Sequence, residues 1–125
     1  MTILVVDDSR AMRMLIMRTL RHAGLGHHRV LEAADGVDGL LIALAQQPDL
    51  LLADWTMPRA SGLELLQSLR MGGSRVPFGF VTAQATPQRQ EVAAQEGAIF
   101  CVGKPMSPEL LADLLAQEGL SAVLA

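Results

Sequence analysis

Several things that would define a function are scarce or missing in this chain. One cysteine, Cys101, stands among 125 residues, which excludes an internal disulfide and any metal cage built from several thiolates. The expected compartment is the reducing cytoplasm. Tyrosine is absent and aromatic residues make up 3% of the chain, which does not suit a base-stacking platform. Acidic residues outnumber basic ones 13 to 10, so no broad cationic surface invites nucleic acid. No apolar run approaches the roughly 18 positions of a membrane span. Residues 1–10 read as a strand and turn, not as a basic segment followed by an apolar export signal. Neither a Gly-x-Gly-x-x-Gly nor a Walker loop follows the first apolar run, which argues against a nucleotide-binding domain. Lysine occurs once, at Lys104, against nine arginines, and that singles the position out.

What is present is the pattern of one packed core. Half of the residues are hydrophobic and the mean hydropathy is +0.32, too apolar for a disordered chain. The length fits a single domain of the usual roughly 100–150 residues. Ile3–Val6 is a continuous apolar run, as in a strand covered on both faces. Between Ser9 and Ala23, the positions Met12, Leu15, Ile16, Leu20 and Ala23 recur at helical spacing, up to Gly24. Arg29–Ala33 reads as a second strand, and Asp35 caps a helix running through Ala45. Leu50–Ala53 is a third strand. Ser61 and Glu64 form a capping box for a helix through Leu69. Val76–Val81 is a fourth strand with Pro77 near its start, and Pro87 opens a short helix ending near Gly97. Ile99–Gly103 is the fifth strand, and Ser107-Pro108 begins the last helix. The strict alternation predicts an α/β fold, a (βα)5 doubly wound parallel five-stranded sheet with helices on both faces.

Ligands of such sheets bind beyond the carboxyl ends of the strands. Asp7 and Asp8 follow the first strand, Asp54 the third, Thr82 the fourth and Lys104 the fifth. Singly, each has an ordinary role as a helix cap, a turn hydroxyl or a surface charge. Together they converge on one sheet edge, where two carboxylates about 4 Å apart repel by roughly 4 kcal/mol at an effective dielectric of 20. A cation would relieve that repulsion, and hard oxygen ligands select Mg2+, Mn2+ or Ca2+. Mg2+ leaves coordination positions for phosphate oxygens. Lys104 could hold another such oxygen as a point charge, and Thr82 could donate a hydrogen bond. The array suits phosphoryl transfer, in which an Asp can serve as nucleophile.

At these residues the chain resembles a known family. Val5-Val6-Asp7-Asp8-Ser9, Asp54-Trp55-Thr56-Met57-Pro58, Val81-Thr82-Ala83 and Gly103-Lys104-Pro105 are similar to the receiver domain of bacterial two-component response regulators. The likeness is closest to stand-alone chemotaxis-type (CheY-like) regulators. It covers residues 2 to about 118, so the expected domain is 1–118 with an apolar tail over 119–125. The resemblance implies a flavodoxin-like strand order 2-1-3-4-5. It implies a phosphorelay switch, not a conventional enzyme, in which Asp54 takes a phosphoryl group from a sensor histidine kinase or a histidine phosphotransfer protein. Asp8 and Asp54 would bind Mg2+ directly together with the Thr56 carbonyl, and Asp7 would act through water. Thr82 and Lys104 would engage the phosphoryl oxygens, and the Lys104-Pro105 bond would be cis. The expected output is binding of a downstream protein target through the helix 4–strand 5–helix 5 surface of a monomer or weak dimer.

Departures from the family pattern concern output. The family's aromatic switch position, three residues before the lysine, holds Cys101, read as a small apolar residue. Phe100 beside it faces the other side of the sheet and could replace the switch only through a bulge or slip. Thr56 and Gln84, two residues past Asp54 and Thr82, are not acidic and cannot act as strong bases. On the first helix, Arg10, Arg13, Arg18 and Arg21 share an arc with Met14 and Met17. That arc is either a solvated face or a docking surface for the phosphodonor. His22, His27 and His28 have no carboxylate at ligand spacing and read as surface residues. The tail Leu120–Ala125 could extend the last helix, pack on the body, or mark a cut from a longer protein.

Two rivals stand beside this reading. A haloacid-dehalogenase-type phosphatase needs Asp-x-Asp after its first strand and room for a cap, and the chain offers neither. A docking module or phosphate sink with the same fold but no productive switching is the more serious rival, with the intact Asp8, Asp54, Thr82 and Lys104 counting against it and Cys101 slightly for it.

Overall fold

A computed structural model describes residues 1–120. Its elements run β1 (Thr2–Val6), α1 (Arg10–Leu20), β2 (Arg29–Ala33), α2 (Gly36–Gln46), β3 (Leu50–Ala53), α3 (Gly62–Met71), β4 (Phe78–Thr82), α4 (Pro87–Gln95), β5 (Phe100–Gly103) and α5 (Pro108–Gln117). The five strands are parallel and ordered β2-β1-β3-β4-β5, so the doubly wound sheet predicted from alternation is the observed fold. The order reverses at β1, and β1 and β3 lie side by side with Val6 opposite Ala53. That register delivers Asp7 and Asp54, each one residue beyond its strand, to the same edge.

Local signals start the helices as the sequence indicates. Ser9, Asp35, Ser61 and Ser107 each accept a hydrogen bond from the backbone N–H three residues on, and Ser61 with Glu64 completes the capping box. The first helix differs from expectation. Beyond Leu20 it continues through Arg21–Leu25 as a turn kinked at Gly24, where φ is 88°. β4 also starts later than expected, at Phe78 instead of Val76, because Pro77 has no N–H to offer its neighbours. Its carbonyl still accepts from Leu51 N at 2.9 Å. Thr82 is therefore the last residue of β4, paired with Gly103, and not the first residue beyond it.

Two apolar layers flank the sheet. Leu4, Val6, Leu51, Leu65, Leu66, Leu69, Phe78 and Phe80 pack on the side of α2, α3 and α4. Ile3, Val5, Ile16, Leu20, Leu52, Leu111 and Leu115 pack on the side of α1 and α5. Each large side chain buried this way contributes roughly 1.5–3 kcal/mol. Phe100 and Cys101 divide between the layers, Phe100 with α1 and α5 and Cys101 with α4. Pairing along β4 and β5 is continuous from Gly79–Phe100 to Thr82–Gly103, with no bulge or slip. Phe100 is fixed by fit as well, since its ring lies where a Cβ at residue 79 would be. It cannot move into the place held by Cys101.

The reading of His28 as a surface residue needs correction. His22 and His27 are exposed, but His28 is buried at the entry to β2, its ring centroid 4.0 Å from that of His27. The backbone N–H of His28 donates to Leu25 O at 3.2 Å, in the tight turn that leads from the helix into β2. Of the tail, Leu120 packs against the α1–α5 layer, while residues 121–125 lie outside the described residues. No helix among the described residues is long and apolar enough to cross a membrane.

Candidate functional site

The carboxyl edge of β1, β3 and β5 brings four of the six candidate residues into one cluster. Carboxylate oxygens of Asp7, Asp8 and Asp54 all lie within 4.8 Å of one another. Asp7 has no exposed surface and Asp54 has 8%, whereas Asp8 is exposed. Lys104 enters from the end of β5, and the Lys104-Pro105 bond that follows is cis. Its Nζ sits 2.8 Å from Asp7 Oδ2 and 2.8 Å from Asp54 Oδ2. Burial acts to lower the lysine's affinity for its proton. The hydrogen bonds and charges of Asp54 and Asp7 outweigh it, and the ammonium is held above its ordinary range.

The remaining carboxylate oxygens face backbone donors. Asp7 Oδ1 accepts from Ser9 N at 2.9 Å, and Asp54 Oδ1 accepts from Trp55 N at 2.7 Å. Thr82 is buried at the end of β4 and Thr56 is exposed in the loop after Asp54. Both stand at this edge by their position in the fold. The donor set is hard oxygen throughout, with a net negative charge that one lysine does not cancel. These residues fit a divalent cation of the Mg2+ class.

Residues that sequence reasoning did not assign to the site also shape it. Arg13 is not part of a free cationic face. Its Nη1 donates to Asp7 O at 2.7 Å and its Nε to Glu32 at 3.0 Å, which braces the loop after β1. Helical spacing placed Arg13 on an outer arc, but Glu32, on β2, turns the side chain inward. The rest of that arc leaves Arg10, Met14, Arg18 and Arg21 exposed on the outer face of α1, with Leu15 beside them. Gly62, at the start of α3, is needed by the backbone: a Cβ there would collide with Asp54 O, and Gly62 N donates to Trp55 O at 2.8 Å. The Ser-Gly step of the capping box was the only sequence signal for it.

An acidic cleft bridged by a lysine thus stands at the switch edge of a doubly wound parallel sheet. Comparisons with known proteins give the family. The profile of the response regulator receiver domain matches residues 3–116. A chemotaxis protein CheY homolog from Campylobacter jejuni is 36% identical over 92% of this chain and 89% of that protein. The sensor protein EvgS of Escherichia coli is 35% identical over 94% of this chain, which spans 10% of that much longer protein. Among solved structures, the Vibrio cholerae chemotaxis protein CheY4 aligns with a TM-score of 0.79 and 30% identity, covering 93% of this chain and 96% of that one. This chain belongs to the response regulator receiver domain family.

Proposed function

We propose that this chain works as a response regulator receiver, a phosphorylation switch in a phosphorelay, with Asp54 as the phosphoryl acceptor. The observation that carries the reading is the Lys104 ammonium, 2.8 Å from both Asp7 and Asp54 at the switch edge. A carboxylate oxygen of Asp54 attacks the phosphorus of a donor phosphohistidine, the P–N bond breaks, and the imidazole leaves with a proton from solvent. Asp7, Asp8, Asp54 and the Thr56 carbonyl would hold Mg2+, which neutralises charge on the transferring group. Lys104 exchanges a carboxylate partner for a phosphoryl oxygen, and the Thr82 hydroxyl donates to another. Catalysis is positioning and charge balance, so the domain switches its own state without being a conventional enzyme.

The donor is a sensor histidine kinase or a histidine phosphotransfer protein, and the output is altered binding of a downstream protein through α4, β5 and α5. The likeness to CheY-type proteins favours chemotaxis as the process and the cytoplasm as the compartment, with the switch unit spanning residues 1–118. The exposed face of α1 with Met14, Leu15, Arg18 and Arg21 is the donor-docking face of this reading. Arg18→Glu should slow transfer from the donor protein and leave transfer from acetyl phosphate unchanged.

The decisive experiment adds Mg2+ and acetyl phosphate and follows intact mass together with the emission of Trp55, the sole tryptophan. A phosphoryl mass gain that disappears in Asp54→Asn is expected. A gain that persists in Asp54→Asn would reject Asp54 as acceptor. No gain in the wild-type chain would favour the docking-module reading, to which the small Cys101 lends its one supporting observation.

A further inference from the structure

Trp55, the neighbour of Asp54, is clasped from two sides. Its ring centroid lies 4.6 Å from that of Phe80, and the guanidinium carbon of Arg89 lies 5.1 Å from the centre of the indole. The backbone N–H of Trp55 donates to Asp54 Oδ1 at 2.7 Å, so whatever fixes the indole bears on the acceptor's own backbone. Arg89 is itself anchored in the first turn of α4. Its backbone N–H donates to Thr86 Oγ1 at 3.2 Å, and its Nη1 donates to Gln84 O at 3.3 Å. Gln84 belongs to the exposed stretch that joins Thr82 to α4. The adjacent Gln90 ties the same turn to β5 through Nε2 donating to Cys101 O at 3.3 Å. Arg89 thus links three pieces around the cleft: the loop after β4, the start of α4, and the residue beside Asp54. Holding a long arginine in one place opposes its rotamer entropy, and the two simultaneous contacts offset that loss.

We propose that Arg89 is a positioning residue that pins the β4–α4 loop against Trp55 and so prolongs the acyl phosphate on Asp54. The inference rests on the proposed function and adds what sets the lifetime of its signal. The acyl phosphate is lost when water attacks phosphorus and the bond between phosphorus and the Asp54 carboxylate oxygen breaks. Inorganic phosphate leaves, the carboxylate is regenerated, and one proton passes to solvent. A loop held down on the Trp55 side narrows the approach for that water. Neither Thr56 nor Gln84 is a base that could speed it.

The test charges the chain with acetyl phosphate and Mg2+, removes the donor, and follows decay of the phosphorylated mass. Arg89→Met, which keeps the aliphatic stem, should shorten the half-life about two- to fivefold, the range expected for an exposed cation–π contact. Arg89→Lys keeps the charge over the indole but not the planar fork, and its half-life should fall between the two. In a Trp55→Leu background, Arg89→Met should have no further effect, whereas a general loosening of α4 would add. An unchanged half-life in Arg89→Met, or a full effect persisting without Trp55, would overturn the proposal. Acrylamide quenching of Trp55 in the unphosphorylated chain tests the clasp separately. Arg89→Met should make the indole more accessible, and no change there also overturns it. If the wild-type chain takes up no phosphoryl group at all, the proposed function fails and the inference falls with it, while the quenching result still reports on the clasp.

Discussion

Two cations stand at opposite ends of the β3–β5 half of the sheet and are held in opposite ways. At the amino end, Arg70 donates to three backbone carbonyls, Ser74 O at 3.1 Å, Val76 O at 2.8 Å and Gly97 O at 3.3 Å. Desolvation lowers its proton affinity, aided by the nearby Arg75 charge. At the carboxyl end, Lys104 faces two carboxylates that raise its proton affinity against the same desolvation. Neutral dipoles in fixed backbone make Arg70 a staple between the approaches to β4 and β5, and no other cation can take its place. Two carboxylates that repel in its absence make Lys104 a counter-ion, whose screening a divalent cation should be able to share. A staple and a counter-ion are thus told apart by what surrounds them.

The comparison can be tested from its largest expected effect downward. Lys104→Met leaves Asp7 and Asp54 facing each other, and should lower stability by about 3 kcal/mol in metal-free buffer. Saturating Mg2+ should restore much of that loss in chemical denaturation; a deficit indifferent to Mg2+ would break the contrast. Arg70→Met strips donors from three carbonyls, and should cost about 1–3 kcal/mol by the same assay. That loss should be the same with and without Mg2+. Mg2+ should raise the melting temperature of the wild-type chain, and Asp8→Asn should abolish that rise. Because Asp8 is exposed, its metal-free stability should move by no more than about 0.5 kcal/mol. The smallest effect concerns Cys101, whose thiol is pushed up by burial while the Arg89 charge pulls slightly the other way. Thiol alkylation should be slow at neutral pH, climb steadily as the pH rises, and level off only above the ordinary value of 9.0. Ready modification at pH 7 would mean that β5 opens more easily than its pairing indicates.

Features whose cause lies within a few residues were legible before any coordinates. The caps at Asp35, Ser61 and Ser107 are three-residue hydrogen bonds, and composition announces them. The apolar runs of β1 and β3 announce buried parallel strands in the same way. Element boundaries were less legible where a single residue decides them, as Pro77 does for β4, although Gly24 does close the first helical segment where its spacing ends. Residues tied by distant partners were the least legible. Arg13 looked like one of four surface arginines until Glu32, 19 positions away, and the Asp7 carbonyl drew it in. His28 looked like its exposed neighbours, and the Trp55–Arg89 clasp spans two separate βα units.

The sequence by itself determined the alternation of strands and helices, and with it the edge on which Asp7, Asp8, Asp54, Thr82 and Lys104 must collect, because periodicity and topology act through chain order. Only the tertiary structure decided which of those groups touch. Lys104 bridges Asp7 and Asp54, Asp8 faces solvent, and Phe100 is held on the opposite face from Cys101. These contacts depend on strand register and on a lysine brought across 50 positions of chain to Asp54. Electrostatics and packing at a few ångströms are set by three-dimensional proximity, which no local pattern encodes.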